Sequence, residues 1–257
     1  MKGGRGNGEC AMKGSGEKEE CSGNKVIAFK EVCKEYKSGD RSFYALRDAS
    51  FEIKEGSFVV ILGPSGAGKS TLLNMLAGMD RVSSGEIEFF DGEMLSEYNE
   101  RMLTAYRAKE VGIVFQFYNL IPSLTAYENV ALMRDIKKDV LEPEEALKAV
   151  GLERQMQQFP SQMSGGEQQR TSIARAIVKN PRLLLCDEPT GALDTVTGRE
   201  VLKLLQDLSR KEKKTVVMVT HNSLFADVAD QVIYVKNGRI EKVLYNETPV
   251  DAEEVEW

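Results

Sequence analysis

The sequence has one histidine, His221, and four cysteines among its 257 residues. No two cysteines form a CxxC pair, so a zinc site is not expected, and the set is typical of a reducing cytosol. No apolar run approaches the roughly 18 residues of a membrane span, so any membrane role requires a partner chain. Acidic residues outnumber basic ones by 40 to 34. The net charge of −6 argues against nucleic-acid binding, which needs a basic surface.

The overall composition, with 42% hydrophobic and 29% charged residues, is that of a globular protein with a substantial core. Residues 1–24 differ, because they are rich in Gly, Lys, Glu and Ser and have almost nothing to bury. We predict a disordered tail over 1–24 and one folded domain over 25–257.

One stretch fits the pattern G-x-x-x-x-G-K-[ST], between a predicted strand, Phe58–Leu62, and a predicted helix, Ser70–Gly78. Glycines let the backbone wrap closely around a polyphosphate, and the helix N-terminus adds its positive dipole end. Lysine can reach the terminal phosphates, and the following serine can bind Mg²⁺. The predicted phosphate-binding residues are Gly63, Pro64, Ser65, Gly66, Ala67, Gly68, Lys69, Ser70 and Thr71.

Strands alternate with helices over the second half of the chain, which predicts a parallel sheet with crossover helices. Helices are expected at Thr125–Arg134, Glu142–Val150, residues 164–179 and Thr197–Arg210, with a short one at Ser223–Ala229. Asn237-Gly238 is expected to form a hairpin turn. Residues from about 117 to 162 hold no convincing strand. This segment is interpreted as part of a small helical lobe inserted into an α/β domain.

Polar residues follow three apolar strands, at the edge where parallel sheets bind ligands. Asp187 can hold Mg²⁺, and Glu188 can accept a proton from an attacking water; the alternative is a solvated acidic pair. His221 can donate to a γ-phosphate, although a lone histidine is usually structural. Gln116 can contact Mg²⁺ or the attacking water, where the helical lobe begins.

Two further features are weaker evidence for nucleotide binding. Ser164 is a predicted helix N-cap, and Gly165 and Gly166 offer exposed N–H groups, so this stretch is either a second phosphate-binding surface or a plain capped helix. Tyr36 ends a strand upstream of the phosphate loop. It either stacks on a purine or is an ordinary strand aromatic.

Together these elements resemble the ATP-binding cassette (ABC) ATPase family from about Lys25 to the end of the chain. The phosphate loop matches Walker A, Leu183–Glu188 matches Walker B, and residues 164–170 match the signature. The other matches are Gln116 to the Q-loop, Gly191–Asp194 to the D-loop, His221 to the switch histidine and Tyr36 to the adenine-stacking aromatic. The implied fold is an α/β P-loop NTPase with a mixed, mainly parallel core sheet, an antiparallel β subdomain and an inserted α-helical lobe at about 117–178.

The resemblance implies a mechanism with ATP and Mg²⁺ as ligands. Two cassettes pack head to tail as a homodimer, and each ATP lies between one chain's Walker A loop and the other chain's signature. Glu188, His221 and Gln116 are the implied catalytic residues, and Ser70, Gln116 and Asp187 the implied Mg²⁺ ligands. The residues implied to act in trans are Ser164, Gly165, Gly166 and Glu167, with Asp194 in the D-loop.

Gly112–Pro122 and Asp187–Asp194 look more narrowly like the MacB, LolD and FtsE branch. That branch pairs with separately encoded FtsX-like membrane subunits, which places the chain on the cytoplasmic face of the membrane. The implied role is to energise export or removal of lipoprotein, antibiotic or antimicrobial peptide; the alternative is FtsE-like transmission of signal or force without transport. A soluble ABC ATPase of DNA repair or translation is disfavoured, because neither a coiled-coil insertion nor a second cassette is present.

The signature departs from the usual LSGGQ at two positions. Met163 replaces leucine, which is a mild apolar change, and Glu167 replaces glutamine. A carboxylate in the first helical turn suits the helix dipole, but it lies near the phosphates of a bound nucleotide. The sequence therefore predicts that the two cassettes close on ATP differently at this signature, rather than that the protein is inactive.

Overall fold

The computed structural model describes residues 25–39, 41–89, 92–137 and 140–255, so the predicted tail at 1–24 lies outside the described residues. The strands in this part of the chain are β1 (Lys25–Ser38), β2 (Arg41–Lys54), β3 (Phe58–Leu62), β4 (Ser84–Phe89), β5 (Glu93–Met94), β6 (Val111–Val114), β7 (Leu183–Asp187), β8 (Thr215–Thr220), β9 (Gln231–Lys236) and β10 (Arg239–Tyr245). The α-helices are α1 (Lys69–Leu76), α2 (Glu100–Lys109), α3 (Ala126–Ala131), α4 (Met133–Ile136), α5 (Pro143–Ala149), α6 (Gly165–Ile177) and α7 (Thr195–Arg210).

The central sheet has the order β10-β9-β3-β8-β7-β6. All neighbouring pairs from β9 to β6 are parallel, and β10 is added antiparallel through the predicted Asn237-Gly238 hairpin. The predicted mixed, mainly parallel core sheet is therefore confirmed. The order also places the ends of β3, β8, β7 and β6 side by side along one edge.

Packing on both faces explains why the central strands are continuous apolar runs. Phe58, Val60 and Leu62 of β3 belong to a core cluster with residues of α5, α6 and α7, such as Leu147. Val59 and Ile61 alternate to the opposite face, where α1 and the second sheet cover them. Every residue of β3 and β8 is buried, as expected for parallel strands covered by layers on both sides.

A second sheet supplies the predicted antiparallel subdomain, with the order β2-β1-β4-β5. Each neighbouring pair in it is antiparallel. Ile27 and Phe29 of β1 share a core cluster with Leu72 and Leu76 of α1. The packing anchors the helix that follows the phosphate loop, and it leaves the end of β1 near that loop.

The helical lobe contains α3, α4 and α5, but the predicted helix Thr125–Arg134 is divided at Leu132. An i→i+3 bond from the Asp135 amide to the Leu132 carbonyl tightens the chain at that point. The helix predicted at Ser223–Ala229 is likewise reduced to a 3₁₀ turn, Ser223–Ala226, which Asn222 caps. Among the described residues no helix combines the length and apolar character needed to cross a membrane.

Candidate functional site

The loop between β3 and α1 folds tightly against two distant segments. A Cβ at Gly63 would stand 2.2 Å from the carbonyl oxygen of Val235, and a Cβ at Gly68 would stand 2.5 Å from that of Ala45. Gly68 also has a φ of 105°, which residues with side chains rarely adopt. The glycine spacing of the motif is thus a requirement of this backbone path.

Lys69 lies inside the curve of the loop and is only 8% exposed. Its Nζ donates to the carbonyl oxygens of Gly63 at 2.8 Å and Pro64 at 3.0 Å. Phosphate oxygens would offer this ammonium group stronger, charge-assisted hydrogen bonds than neutral carbonyls do. The loop therefore fits a polyphosphate by geometry and by charge.

A cavity of about 740 Å³ opens over the loop, within the size range of small-molecule sites. Gln116 follows β6, Asp187 ends β7 with Glu188 directly after it, and His221 follows β8. The strand order brings all four into this cavity. Gly63, Pro64 and Ala67 belong to the same loop but do not line the cavity. The predicted residues that line the cavity are Tyr36, Ser65, Gly66, Gly68, Lys69, Ser70, Thr71, Gln116, Asp187, Glu188 and His221.

Glu188 and His221 form a hydrogen-bonded pair just after the carboxyl ends of β7 and β8. The imidazole Nδ1 lies 3.0 Å from Oε1 and 2.9 Å from Oε2 of the carboxylate. Glu188 has a φ of 49°, and its amide donates to the Val219 carbonyl at 3.0 Å. Non-glycine residues held at positive φ cluster at functional sites, where the surrounding structure fixes them. The backbone conformation thus directs the Glu188 carboxylate into the cavity, and the exposed His221 holds this carboxylate by hydrogen bonding.

Asp187 is about half-buried at the end of β7. Burial raises the pKa of its carboxyl, the neighbouring charge of Glu188 raises it further, and Lys69 opposes both. A divalent cation would favour the ionised form, and oxygen atoms are the ligands that Mg²⁺ prefers. Ser70 and Gln116 line the same cavity and supply further oxygens, so the donor set fits Mg²⁺.

Tyr36, near the end of β1, lines the cavity. Its hydroxyl donates to Asp80 at 2.5 Å, and its ring centroid lies 5.5 Å from that of Phe43 on β2. Lys34 also binds the Asp80 carboxylate. Burial, followed by the bond to Asp80, raises the pKa of the Tyr36 hydroxyl. The ring is held at a fixed angle on the cavity wall, as a base-stacking surface requires.

The predicted signature begins α6 but does not line the same cavity. Ser164 caps the helix and exchanges hydrogen bonds with Glu167, which closes a capping box. A Cβ at Gly166 would stand 2.1 Å from Cγ2 of Thr197, so α6 and α7 approach closely there. Ser164 is exposed at the helix N-terminus. Within one chain, this surface is therefore separate from the Lys69 cavity and available to another molecule.

Asp194 of the predicted D-loop caps α7. Its Oδ1 accepts from the amides of Val196 and Thr197, both at 3.1 Å, and its Oδ2 accepts from the Thr197 hydroxyl at 2.7 Å. The hydroxyl bond, with the amide bonds, lowers the pKa of the Asp194 carboxyl. The structure therefore explains this aspartate as a helix cap, and its part in a dimer stays a prediction.

Two residues outside the predicted site hold the segment after Gln116. Arg175 of α6 donates to the carbonyl oxygens of Tyr118 at 2.8 Å and Asn119 at 2.7 Å. Asn129 of α3 is fully buried and donates to the carbonyl of Ile121 at 3.1 Å. The sequence offered no signal for either, because the acceptors are backbone carbonyls, which every residue carries.

The cavity also includes lining residues that the sequence did not single out. Phe43 could have been found, because it faces Tyr36 in the register of β1 and β2. Asn237 and Gly238 were predicted only as a hairpin turn, yet the Gly238 amide donates to the Ala67 carbonyl at 2.9 Å. This long-range contact brings the turn over the phosphate loop and has no local sequence signature.

Comparison with known proteins identifies the family of the chain. The family model for the ABC transporter domain matches residues 46–191. The uncharacterized ABC transporter ATP-binding protein MJ0796 of Methanocaldococcus jannaschii is 43% identical over 226 residues, which are 84% of this chain and 96% of the relative. The chain belongs to the ABC transporter family and contains an ATP-binding cassette of that family.

Other relatives are longer. A putative ABC transporter ATP-binding protein of Mycoplasma pneumoniae is 43% identical over 235 residues, and a Mycoplasma genitalium counterpart is 42% identical over the same length. The matched region covers 90% of this chain in both cases but only 50% of each relative. The chain thus spans about half the length of these two relatives.

Solved structures confirm the predicted P-loop ABC ATPase fold. A dimeric post-hydrolysis state of the cassette MJ0796, bound to ADP and phosphate, aligns with a TM-score of 0.77 at 41% identity. The alignment covers 86% of this chain and 98% of that chain. A second dimeric structure of the same cassette aligns with a TM-score of 0.75.

Proposed function

We propose that this chain hydrolyses ATP to energise a separately encoded, FtsX/MacB-like membrane permease, for export or removal of lipoprotein, antibiotic or antimicrobial peptide. The observation that carries the proposal is the convergence of Lys69, Glu188 and His221 on one cavity at adjacent strand ends. A phosphate-binding lysine beside an oriented carboxylate suits hydrolysis as well as binding. The chain acts on the cytoplasmic face of the membrane, through its partner.

Each cavity residue has a role in this proposal. Tyr36 stacks on adenine, and the loop from Gly63 to Thr71 holds the triphosphate with Lys69 on its terminal phosphates. Ser70, Gln116 and Asp187 would hold Mg²⁺, which would supply positive charge against the phosphates of the nucleotide.

Glu188 is the proposed general base. Its carboxylate takes a proton from the water that attacks the γ-phosphorus, and it does so while held against His221 at 2.9–3.0 Å. His221 orients the carboxylate and donates to the γ-phosphate oxygens as charge is transferred. Its side chain is 73% exposed, so one ring nitrogen can stay on Glu188 while the other reaches a nucleotide.

The site is completed by a second copy of the chain. Ser164, Gly165 and Gly166 do not line their own chain's cavity, and the proposal places them on the γ-phosphate bound by the other copy. The dimeric solved structures of MJ0796 support this arrangement. Because ATP must satisfy both surfaces, closure of the dimer depends on the nucleotide.

An exposed apolar surface next to Gln116 is the proposed permease contact. Phe117 is 74% exposed and Ile121 is 41% exposed, and both belong to the segment that Arg175 and Asn129 hold. Exposed large apolar side chains beside a ligand-sensing residue suit a partner that responds to the nucleotide. Motion of Gln116 would reach such a partner through this segment.

The test of the enzymatic proposal is Glu188→Gln. We expect the purified variant to bind ATP and accumulate as a dimer in sedimentation velocity, since closure is retained while the proton acceptor is lost. The wild-type chain should dimerise only transiently under the same conditions. A Glu188→Gln chain that remains monomeric at saturating ATP would argue against the composite site.

The test of the permease proposal is capture from native membranes. A tagged wild-type chain is purified in detergent, and the co-purifying membrane chain is identified by mass spectrometry and reconstituted in vesicles. ATP-dependent movement of substrate supports export. A stable complex that hydrolyses ATP without moving substrate supports force or signal transmission instead, and Phe117→Ser should weaken either complex.

A further inference from the structure

Glu167, which replaces the glutamine of LSGGQ, is hydrogen-bonded directly to Ser164 of the signature. Its Oε2 accepts from the Ser164 amide at 2.8 Å and from the Ser164 hydroxyl at 2.9 Å. Its Oε1 accepts from Nε2 of Gln155 at 3.0 Å. Both carboxylate oxygens are therefore engaged, and one of them takes the only proton of the Ser164 hydroxyl.

This arrangement competes with nucleotide binding in trans. The proposed closed dimer needs the Ser164 hydroxyl to donate to the γ-phosphate of the ATP held by the other chain. A hydroxyl has one proton to donate, so it serves the carboxylate or the phosphate but not both. A carboxylate is also a stronger acceptor than a neutral amide oxygen, and its charge repels the approaching phosphate.

We propose that Glu167 is a positioning residue that restrains the Ser164 hydroxyl and thereby sets the ATP concentration at which two chains close. Gln155 steadies the carboxylate from the turn that follows α5, so the restraint also links the signature to the helical lobe. This inference rests on the proposed function, because it takes Ser164 to be a ligand of ATP bound in trans.

The chain supplies a matched control in a second capping box of almost the same geometry. At the start of α3, Oε2 of Glu128 accepts from the Thr125 amide at 2.8 Å and from the Thr125 hydroxyl at 2.9 Å. Glu128 does not line the nucleotide cavity. A Glu→Gln change at either box has the same effect on helix capping, but only the change at Glu167 alters the signature.

The experiment measures dimerisation by sedimentation velocity across an ATP titration with Mg²⁺, in the Glu188→Gln background. Adding Glu167→Gln should lower the ATP concentration for half-maximal dimer by about fivefold, since the restraint on the hydroxyl becomes a neutral, weaker bond. Adding Glu128→Gln instead should leave the midpoint unchanged. Gln155→Leu, which leaves the signature sequence intact, should shift the midpoint in the same direction by about twofold.

The inference is overturned if Glu167→Gln leaves the midpoint in place or raises it, or if Glu128→Gln lowers it equally. A second check is Ser164→Ala, which removes the restrained hydroxyl; in that variant, Glu167→Gln should lose most of its effect, since only the repulsion between the carboxylate and the phosphate is left to remove. Persistence of the full shift of about fivefold there would show that the serine is not the mediator and would overturn the inference. A background chain that stays monomeric at every ATP concentration contradicts the proposed function itself, and this inference with it.

Discussion

Replacing Tyr36 with alanine should weaken ATP binding while leaving turnover at saturation nearly unchanged. Stacking between a base and an aromatic side chain contributes about 1–3 kcal/mol by alanine substitution. The ring is already fixed by Asp80 at 2.5 Å and by Phe43 at 5.5 Å between centroids, so little ordering is needed on binding. We therefore expect the Kd for ATP to rise about tenfold, which corresponds to about 1.4 kcal/mol.

The kinetic signature separates this role from a structural one. Stacking on the base stabilises the bound ground state and the transition state alike, so KM should rise while kcat stays the same. Equilibrium titration with ATP gives the Kd, and steady-state phosphate release gives KM and kcat. Tyr36→Phe is the matched control, because it keeps the ring and loses only the bond to Asp80; it should stay within about twofold of wild type. An unchanged Kd in Tyr36→Ala would return Tyr36 to an ordinary strand aromatic.

Three further predictions follow from other contacts. Gly166→Ala should lower the free energy of unfolding by about 1–3 kcal/mol in urea denaturation, because its Cβ would stand 2.1 Å from Thr197 Cγ2, and Thr197→Ser should restore most of the loss. Burial, with a smaller contribution from Lys137, lowers the pKa of Lys179 to about 8. The unfolded state then binds more protons between pH 8 and 10.5, so wild-type stability relative to Lys179→Met should rise over that range and stay level below it. Asp187→Asn should raise the Mg²⁺ concentration for half-maximal hydrolysis by at least about tenfold, measured by phosphate release.

Much of the fold was predictable because local pattern and tertiary environment agree. The runs at β3 and β8 are apolar at successive positions, and the structure buries them on both faces. The glycine spacing of the phosphate loop predicted a tight turn, and the contacts of Gly63 and Gly68 account for it. Where a polar residue follows an apolar strand, the strand order alone brings it into the cavity.

Most of the remaining features depend on contacts between distant segments. The Asn237-Gly238 turn covers a loop about 170 residues away. Arg175 contacts carbonyls of residues 118 and 119 from the signature helix. Backbone acceptors carry no sequence signature, so neither the partner nor the contact could be read from local pattern.

The central claim is that Glu188 removes the proton from the water that attacks ATP. The most direct measurement is steady-state phosphate release by purified Glu188→Gln beside the wild-type chain, with ATP binding measured on the same samples. We expect phosphate release to fall by at least about a hundredfold, since general-base catalysis contributes about 10²–10⁴-fold, while the Kd for ATP changes little. Wild-type hydrolysis by a variant that binds ATP normally would contradict the assignment.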